Sequence, residues 1–229
     1  GTGLKAPCAG GAGGGGARGR PRRTRVPAAG PGAAAGDGGG EKAALAQRNL
    51  MRVGKAVGQL GWASFWAQLS MSLVSVTILI FSTAFRSQGG PPVAIILTVF
   101  GVVSLLFSTF WTFRYTRLGR RLRAAAQAPD GVGQGAPPVP AVDRRFALGV
   151  NTNMLGLGVT LLGMEANVGL LVAKTLTNAT ANPFLAGGAG SWNPVLALDV
   201  FLIQAATNTC VGHFLSIVFN MWMQRVLRG

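Results

Sequence analysis

F-A-L-G-V-N-T-N-M-L-G-L-G-V-T-L-L-G-M-E-A-N-V-G-L-L-V-A-K, residues Phe146 to Lys174, is an apolar run preceded by Arg144 and Arg145 and closed by its own lysine. It is long enough to cross a bilayer, which takes roughly 20 mostly apolar residues. Wound as a helix, it places Gly149, Asn153, Gly156, Thr160, Gly163 and Asn167 on one narrow face, at alternating spacings of four and three. Every side chain on that face is small or an amide. Lipid tails give apolar helices no solvent-driven reason to associate, so tight packing in a membrane relies on small residues that let backbones approach and on amides that hydrogen-bond across. The six positions are therefore expected to form a helix-packing face.

Working outward, the composition agrees with a membrane protein. Of 229 residues, 49% are hydrophobic and only 12% charged, about half the charge of an ordinary soluble domain. A net charge of +15 would point to nucleic acid if the cations lined one folded face. Here they sit outside the apolar runs, so no nucleic-acid partner is expected. Cys8 and Cys210 are the two cysteines, too few for a disulfide framework or a zinc-type spacing.

In chain order, residues 1–40 are rich in glycine, alanine and arginine and carry no acid before Asp37. That composition cannot build a core and reads as a transit peptide or a disordered basic leader. Residues 41–60 set Leu50, Val53, Val57 and Leu60 against Arg48, Arg52 and Lys55, the pattern of an amphipathic interfacial helix that lies on the membrane or packs on its own protein. The rest, residues 61–229, holds four apolar runs at about 61–85, 93–113, 146–173 and 195–223. The expected fold is an all-α membrane protein with four transmembrane helices. Trp62, Trp66, Trp111, Tyr115, Trp192 and Trp222 fall near the run ends, where amphipathic rings favour the headgroup zone. Pro91-Pro92 and Asn193-Pro194 mark the starts of the second and fourth helices.

Orientation follows from the lysines and arginines. Ten lie before the first run, seven between Arg114 and Arg145 and two in the C-terminal tail, against only Arg86 and Lys174 in the other two connections. Nineteen of 21 thus share one side, and thirteen of fifteen do so without the leader. An even number of spans with both termini on the positive-inside face follows. Arg114, Arg117, Arg120, Arg121 and Arg123 extend the second helix beyond the membrane as a basic cluster, suited to anionic lipid or to a protein partner. Residues 127–140 then read as flexible linker.

Ionisable residues inside a membrane are costly, so Glu165, Asp199 and His213 are candidates for transport or metal binding. Glu165 projects opposite the small-residue face. Asp199, near the start of its helix, is expected to act as a cap toward the positive dipole end. Cys210 lies one turn before His213, a spacing at which thiolate and imidazole can share a metal, whereas Asp199 is about 21 Å away along the axis. Gln204 and Asn208 occupy another face, suited to a polar route or to inter-helix bonds. The methionines are expected to fill gaps. No enzyme constellation is present: there is one histidine, no phosphate-loop lysine and no paired carboxylates.

F-W-T-F-R-Y-T-R-L-G-R-R-L-R (Phe110 to Arg123), L-L-G-M-E-A-N-V-G-L-L-V-A-K-T-L (Leu161 to Leu176), A-N-P-F (Ala181 to Phe184) and P-V-L-A-L-D-V-F-L-I-Q-A-A-T-N-T (Pro194 to Thr209) resemble the plastid inner-envelope family named both as a translocon component and as the permease in chloroplasts. The likeness runs from about Glu41 to Phe219 and includes cyanobacterial four-span relatives. It implies a multi-pass protein of the chloroplast inner envelope with both termini in the stroma, acting in protein import, in iron uptake, or in both. Iron is then a transported ion rather than a permanently bound cofactor. Implied partners are membrane lipids, further copies of the chain, or other envelope translocon subunits. The family pattern carries glutamine at the position of Glu165 and an aliphatic residue at Cys210, while Asp199, Gln204, Asn208 and His213 match it. A non-transporting scaffold that organises lipids or envelope complexes is the alternative.

The charge asymmetry makes a topological prediction. A tag at either end of the mature chain should survive protease added to intact plastids, and cleavage of a C-terminal tag in sealed inner envelopes would refute the four-span arrangement.

Overall fold

The protein, seen here as a computed structural model, is described for residues 37–85, 92–129, 131–181 and 194–229. The leader up to residue 36 and Trp192 lie outside these. Every regular element among the described residues is helical: α1 (Asp37–Ala84), α2 (Pro92–Ala126), α3 (Val139–Ala181) and α4 (Pro194–Arg228). All four are long and apolar enough to cross a membrane. The all-α, four-span expectation is the architecture observed.

The helices overrun the apolar runs that announce them. No proline occurs between Pro31 and Pro91, and residues 41–60 are mostly good helix formers. The segment expected as a distinct interfacial helix is therefore continuous with the first span in one 48-residue helix. Val57 is fully buried, so this segment packs on its own protein. Proline sits at the first position of α2 and of α4, where its missing N–H costs nothing. After α2, Gly133 N donates to Ala125 O at 2.9 Å. Gly131, Gly133 and Gly135 take φ of 129°, 90° and 74°, a region open chiefly to glycine.

The bundle runs up, down, up, down. Asp143, Gly149, Gly156, Met164 and Lys174 of α3 meet Arg228, Asn220, His213, Thr207 and Asp199 of α4 in turn, an antiparallel register held from end to end. α2 pairs antiparallel with both α1 and α3: Gly54 lies at Arg123, Gly61 at Tyr115, Gly101 at Thr160 and Thr98 at Asn167. α2 and α4 run parallel and touch, through Leu105 against Gly212 and Ser108 against Ser216. α1 also reaches α4, Ser75 Oγ donating to Ala205 O at 3.1 Å.

Each helix buries one seam with steps of three and four. In α2 it comprises Ala94, Thr98, Gly101, Leu105, Ser108, Thr112, Tyr115, Gly119 and Leu122. In α4 it comprises Leu202, Ala206, Thr209, His213, Ser216, Asn220 and Met223. A sustained seven-residue repeat is coiled-coil spacing, here filled mostly with small and polar groups and with a few large ones such as Leu105 and Leu202. The outward faces are apolar instead, with Leu73, Ile96, Phe110, Leu155, Leu162 and Phe214 exposed. The basic end reverses this polarity. There Val57, Tyr115, Leu118, Leu122, Val142, Phe146 and Met223 form an apolar core beneath exposed arginines.

Close approach makes α3 intolerant of size at Gly156. A β-carbon there would lie 2.4 Å from His213 Cε1 and 2.6 Å from Ser104 Oγ. Gly156→Leu should therefore destabilise the monomer by at least the ~1–3 kcal/mol of an overpacked core, read as a lower melting point in detergent and reduced accumulation. Leu162→Phe, at a position 64% exposed, should leave both unchanged. Equal behaviour of the two variants would disprove the close contact.

Candidate functional site

Polar side chains meet along the bundle axis because each helix turns its small and amide positions inward. His213 of α4 stands at the centre, fully buried. Its Nδ1 lies 2.9 Å from Asn153 Oδ1 of α3 and its Nε2 3.3 Å from Gly101 O of α2. Asn153 Nδ2 donates to Gly149 O at 2.8 Å, which turns the amide oxygen toward the imidazole. Both ring nitrogens thus face acceptors. A neutral ring donates once, so it satisfies one of these two acceptors at a time.

Toward the basic end lies a second network. Gln68 Nε2 donates to Ser64 Oγ at 2.8 Å and to Thr112 Oγ1 at 3.1 Å, and Ser108 Oγ donates to Gln68 Oε1 at 2.9 Å. Ser108 and Ser216 hydroxyls are 3.3 Å apart, and Asn220 Nδ2 donates to Ser216 O at 2.8 Å. Asn220 Oδ1 is buried without a hydrogen-bond partner, in the space left by Gly149 beside the Tyr115 hydroxyl. A cavity of about 220 Å³ between α2 and α3 reaches this layer, lined by Ser108, Gly149, Thr152 and Asn153 together with Phe107, Trp111 and Leu148. Toward the other end, Asn167 Nδ2 donates to Thr98 Oγ1 at 3.0 Å and Thr160 Oγ1 to Gly156 O at 2.7 Å.

The six positions of the α3 face, Gly149, Asn153, Gly156, Thr160, Gly163 and Asn167, are all buried, and they pack within the monomer. The other candidates are dispersed. Glu165 is exposed on the outer face of α3 beside Leu155, Gly158 and Leu162. Gln204 is exposed and donates to Asn208 Oδ1 at 3.1 Å, so this amide pair satisfies itself along α4. Cys210 is a free, half-buried thiol, and the ring nitrogens of His213 are directed at Asn153 and Gly101 instead. No cluster of three or more His, Cys, Asp or Glu occurs among the described residues.

Asp199 corrects the capping expectation. It is the sixth residue of α4, beyond the first turn, and its nearly buried carboxylate pairs with Lys174 of α3. Its partner lies on another helix because α3 runs past the apolar run to Ala181, bringing that lysine alongside. At the other end Arg228 grips Asp143 with two hydrogen bonds, of 3.2 and 2.8 Å. Of the arginine extension, Arg114 lies over Trp111 at 4.9 Å, Arg117 over Phe113 at 5.6 Å, and Arg123 Nε donates to Gly119 O at 3.4 Å; Arg120 and Arg121 are exposed.

Ser64, Gln68, Ser72 and Ser75 of α1, and Ser108 and Thr112 of α2, were not singled out by sequence, although all are buried. The signal was the same three-and-four spacing that marked α3, carried by serines and threonines, whose hydroxyls excite less notice in an apolar run than glycine or asparagine.

A bundle with apolar outer faces, four membrane-length helices and a hydrogen-bonded interior defines a polytopic helical membrane protein. The chain belongs to the family described as a protein of unknown function (DUF3611), whose pattern matches residues 47–228. It is similar to Protein TIC 21, chloroplastic, of Arabidopsis thaliana, with 40% identity over 197 residues, covering 85% of this chain and 65% of that protein. The chain thus spans just under two thirds of that relative's length. No solved structure matches it.

The central contact can be weighed directly. In a double-mutant cycle, His213→Ala and Asn153→Ala should each lower detergent stability and show a coupling of about 0.6 kcal/mol, the average for a membrane hydrogen bond. Strict additivity would show that the imidazole and the amide do not interact.

Proposed function

We propose that this protein works in transport across the chloroplast inner envelope membrane, as a component of the protein-import translocon and with ferrous iron as a second cargo. The observation that carries this reading is the 40% identity to Protein TIC 21, chloroplastic, over 85% of the chain. The excess of lysine and arginine on one side supports termini in the stroma. No catalytic group is needed for such a role.

The interior of one bundle is filled where it matters, with His213, Leu105 and Gln68 among its largest fully buried side chains. An extended polypeptide needs more room than that. Import would therefore use a path between copies of the chain, or between it and other envelope subunits. Support for iron comes from the file of amide, hydroxyl and imidazole groups from Asn220 through Ser216, Ser108, His213 and Asn153 to Asn167, since oxygen and imidazole ligands suit ferrous iron. Iron would pass as substrate, exchanging these ligands one after another.

Reconstitution separates the roles. The purified chain in liposomes holding an iron-quenched dye should admit ferrous iron faster than protein-free liposomes, and in plastids it should crosslink to preproteins arrested in the inner envelope. Flux without crosslinking leaves the permease alone, and crosslinking without flux leaves the translocon component alone. Failure of both would overturn transport in favour of a scaffold.

A further inference from the structure

Where α1 and α2 cross at the basic end, they leave a groove of about 460 Å³ on the outer surface of the bundle. Its lining is graded. Trp62 and Phe113 lie nearest the apolar spans, Gln59 and Thr116 come next, and Lys55, Arg120 and Arg123 stand furthest out. Each helix contributes from one face: positions 55, 59 and 62 of α1 and 113, 116, 120 and 123 of α2 follow steps of three and four. The floor is backbone, because a β-carbon at Gly119 would lie 2.6 Å from Gly58 N.

That close crossing also aims a cation. The Arg123 stem lies over Gly54, its Cγ 2.9 Å from where a β-carbon would be, and its Nη2 is 3.8 Å from the corresponding point on Gly58. With Nε bonded to Gly119 O at 3.4 Å, the guanidinium is held along the groove. No carboxylate lines the groove. The ion pairs among the described residues join Lys174 to Asp199 and Arg228 to Asp143, leaving Lys55, Arg120 and Arg123 unpaired with any described acid.

We propose that this groove binds an anionic membrane lipid: its phosphate or sulfonate on Lys55, Arg120 and Arg123, its glycerol region at Gln59 and Thr116, and the first acyl methylenes on Trp62 and Phe113. The order of the lining decides for a lipid over a free anion or an acidic protein, because apolar, neutral and cationic groups succeed one another in the sequence of a lipid's own parts. Basic groups at the membrane surface attract anionic headgroups, and tryptophan favours the zone just beneath. Of the five arginines in the α2 extension only Arg120 and Arg123 take part, and the third cation comes from the other helix. The site is independent of the cargo the protein moves.

Native mass spectrometry of the full chain, exchanged from detergent with equimolar phosphatidylglycerol and phosphatidylcholine, tests it. Wild type should retain phosphatidylglycerol selectively. A Lys55→Gln, Arg120→Gln, Arg123→Gln variant should lose that preference about tenfold or more. A variant with Arg114→Gln, Arg121→Gln and Arg144→Gln, which loses the same charge outside the groove, should keep it. Equal loss in both would replace the site with diffuse attraction. Full competition by glycerol phosphate or by an acidic peptide would overturn the lipid assignment. Should the groove variant fail to fold, wild type with photoactivatable phosphatidylglycerol decides: label on peptides containing Trp62 and Phe113 upholds the site, and label elsewhere removes it.

Discussion

Inside a bilayer the solvent is as apolar as a leucine side chain, so burying leucine against leucine gains little. The arrangement of these four helices follows from that. What can hold them together is the approach of backbones, which dispersion rewards over short distances, and hydrogen bonds between groups that lipid would leave unmet. Gly101 against Thr160, Gly156 against His213 and Gly212 against Leu105 supply the first. Gln68 with Ser108 and Thr112, His213 with Asn153, and Asn167 with Thr98 supply the second. Most of the large apolar residues are turned out to lipid, while a few, among them Leu105, Val102 and Leu202, fill the axis.

α2 and α4 carry most of this. Each makes close contacts with the other and with both flanking helices, while the hydrogen bonds of α1 and α3 run to α2 and α4. α4 brings the imidazole that meets Asn153 and Gly101 together with the hydroxyl that meets Ser108.

How much of this could be read beforehand depended on how loudly each residue type speaks. Four spans and a buried face on α3 were legible, since length, apolarity and the repeat of Gly149, Asn153, Gly156, Thr160, Gly163 and Asn167 are properties of one helix alone. The partner of that face was not, because which helix fills a seam is settled in three dimensions. The helix ends were also understated. Apolarity stops at the membrane, whereas α1 and α2 continue beyond it on helix propensity and on the Gly54, Gly58 and Gly119 crossing. Among chemical candidates, His213 stood out as the one imidazole, but its engagement with Asn153 and Gly101 rather than Cys210 depends on the rotation of α4 about its axis. Asp199 appeared to be a cap only because Lys174 lies 25 residues earlier on another helix.

The change from a polar core among the spans to an apolar core at the basic end has a mechanical side. Near Gly61, Tyr115, Phe146 and Met223 the interior switches from one solvent's rules to the other's, so the protein carries its own waterline. Sliding along the membrane normal would put the oily outer faces in water or the arginines in hydrocarbon, and tilting would do both at once. A bilayer of the wrong thickness would therefore have to stretch or thin around this bundle, at a cost that grows with each ångström of mismatch. The protein is thereby held at one depth in the membrane, with its basic end at the surface.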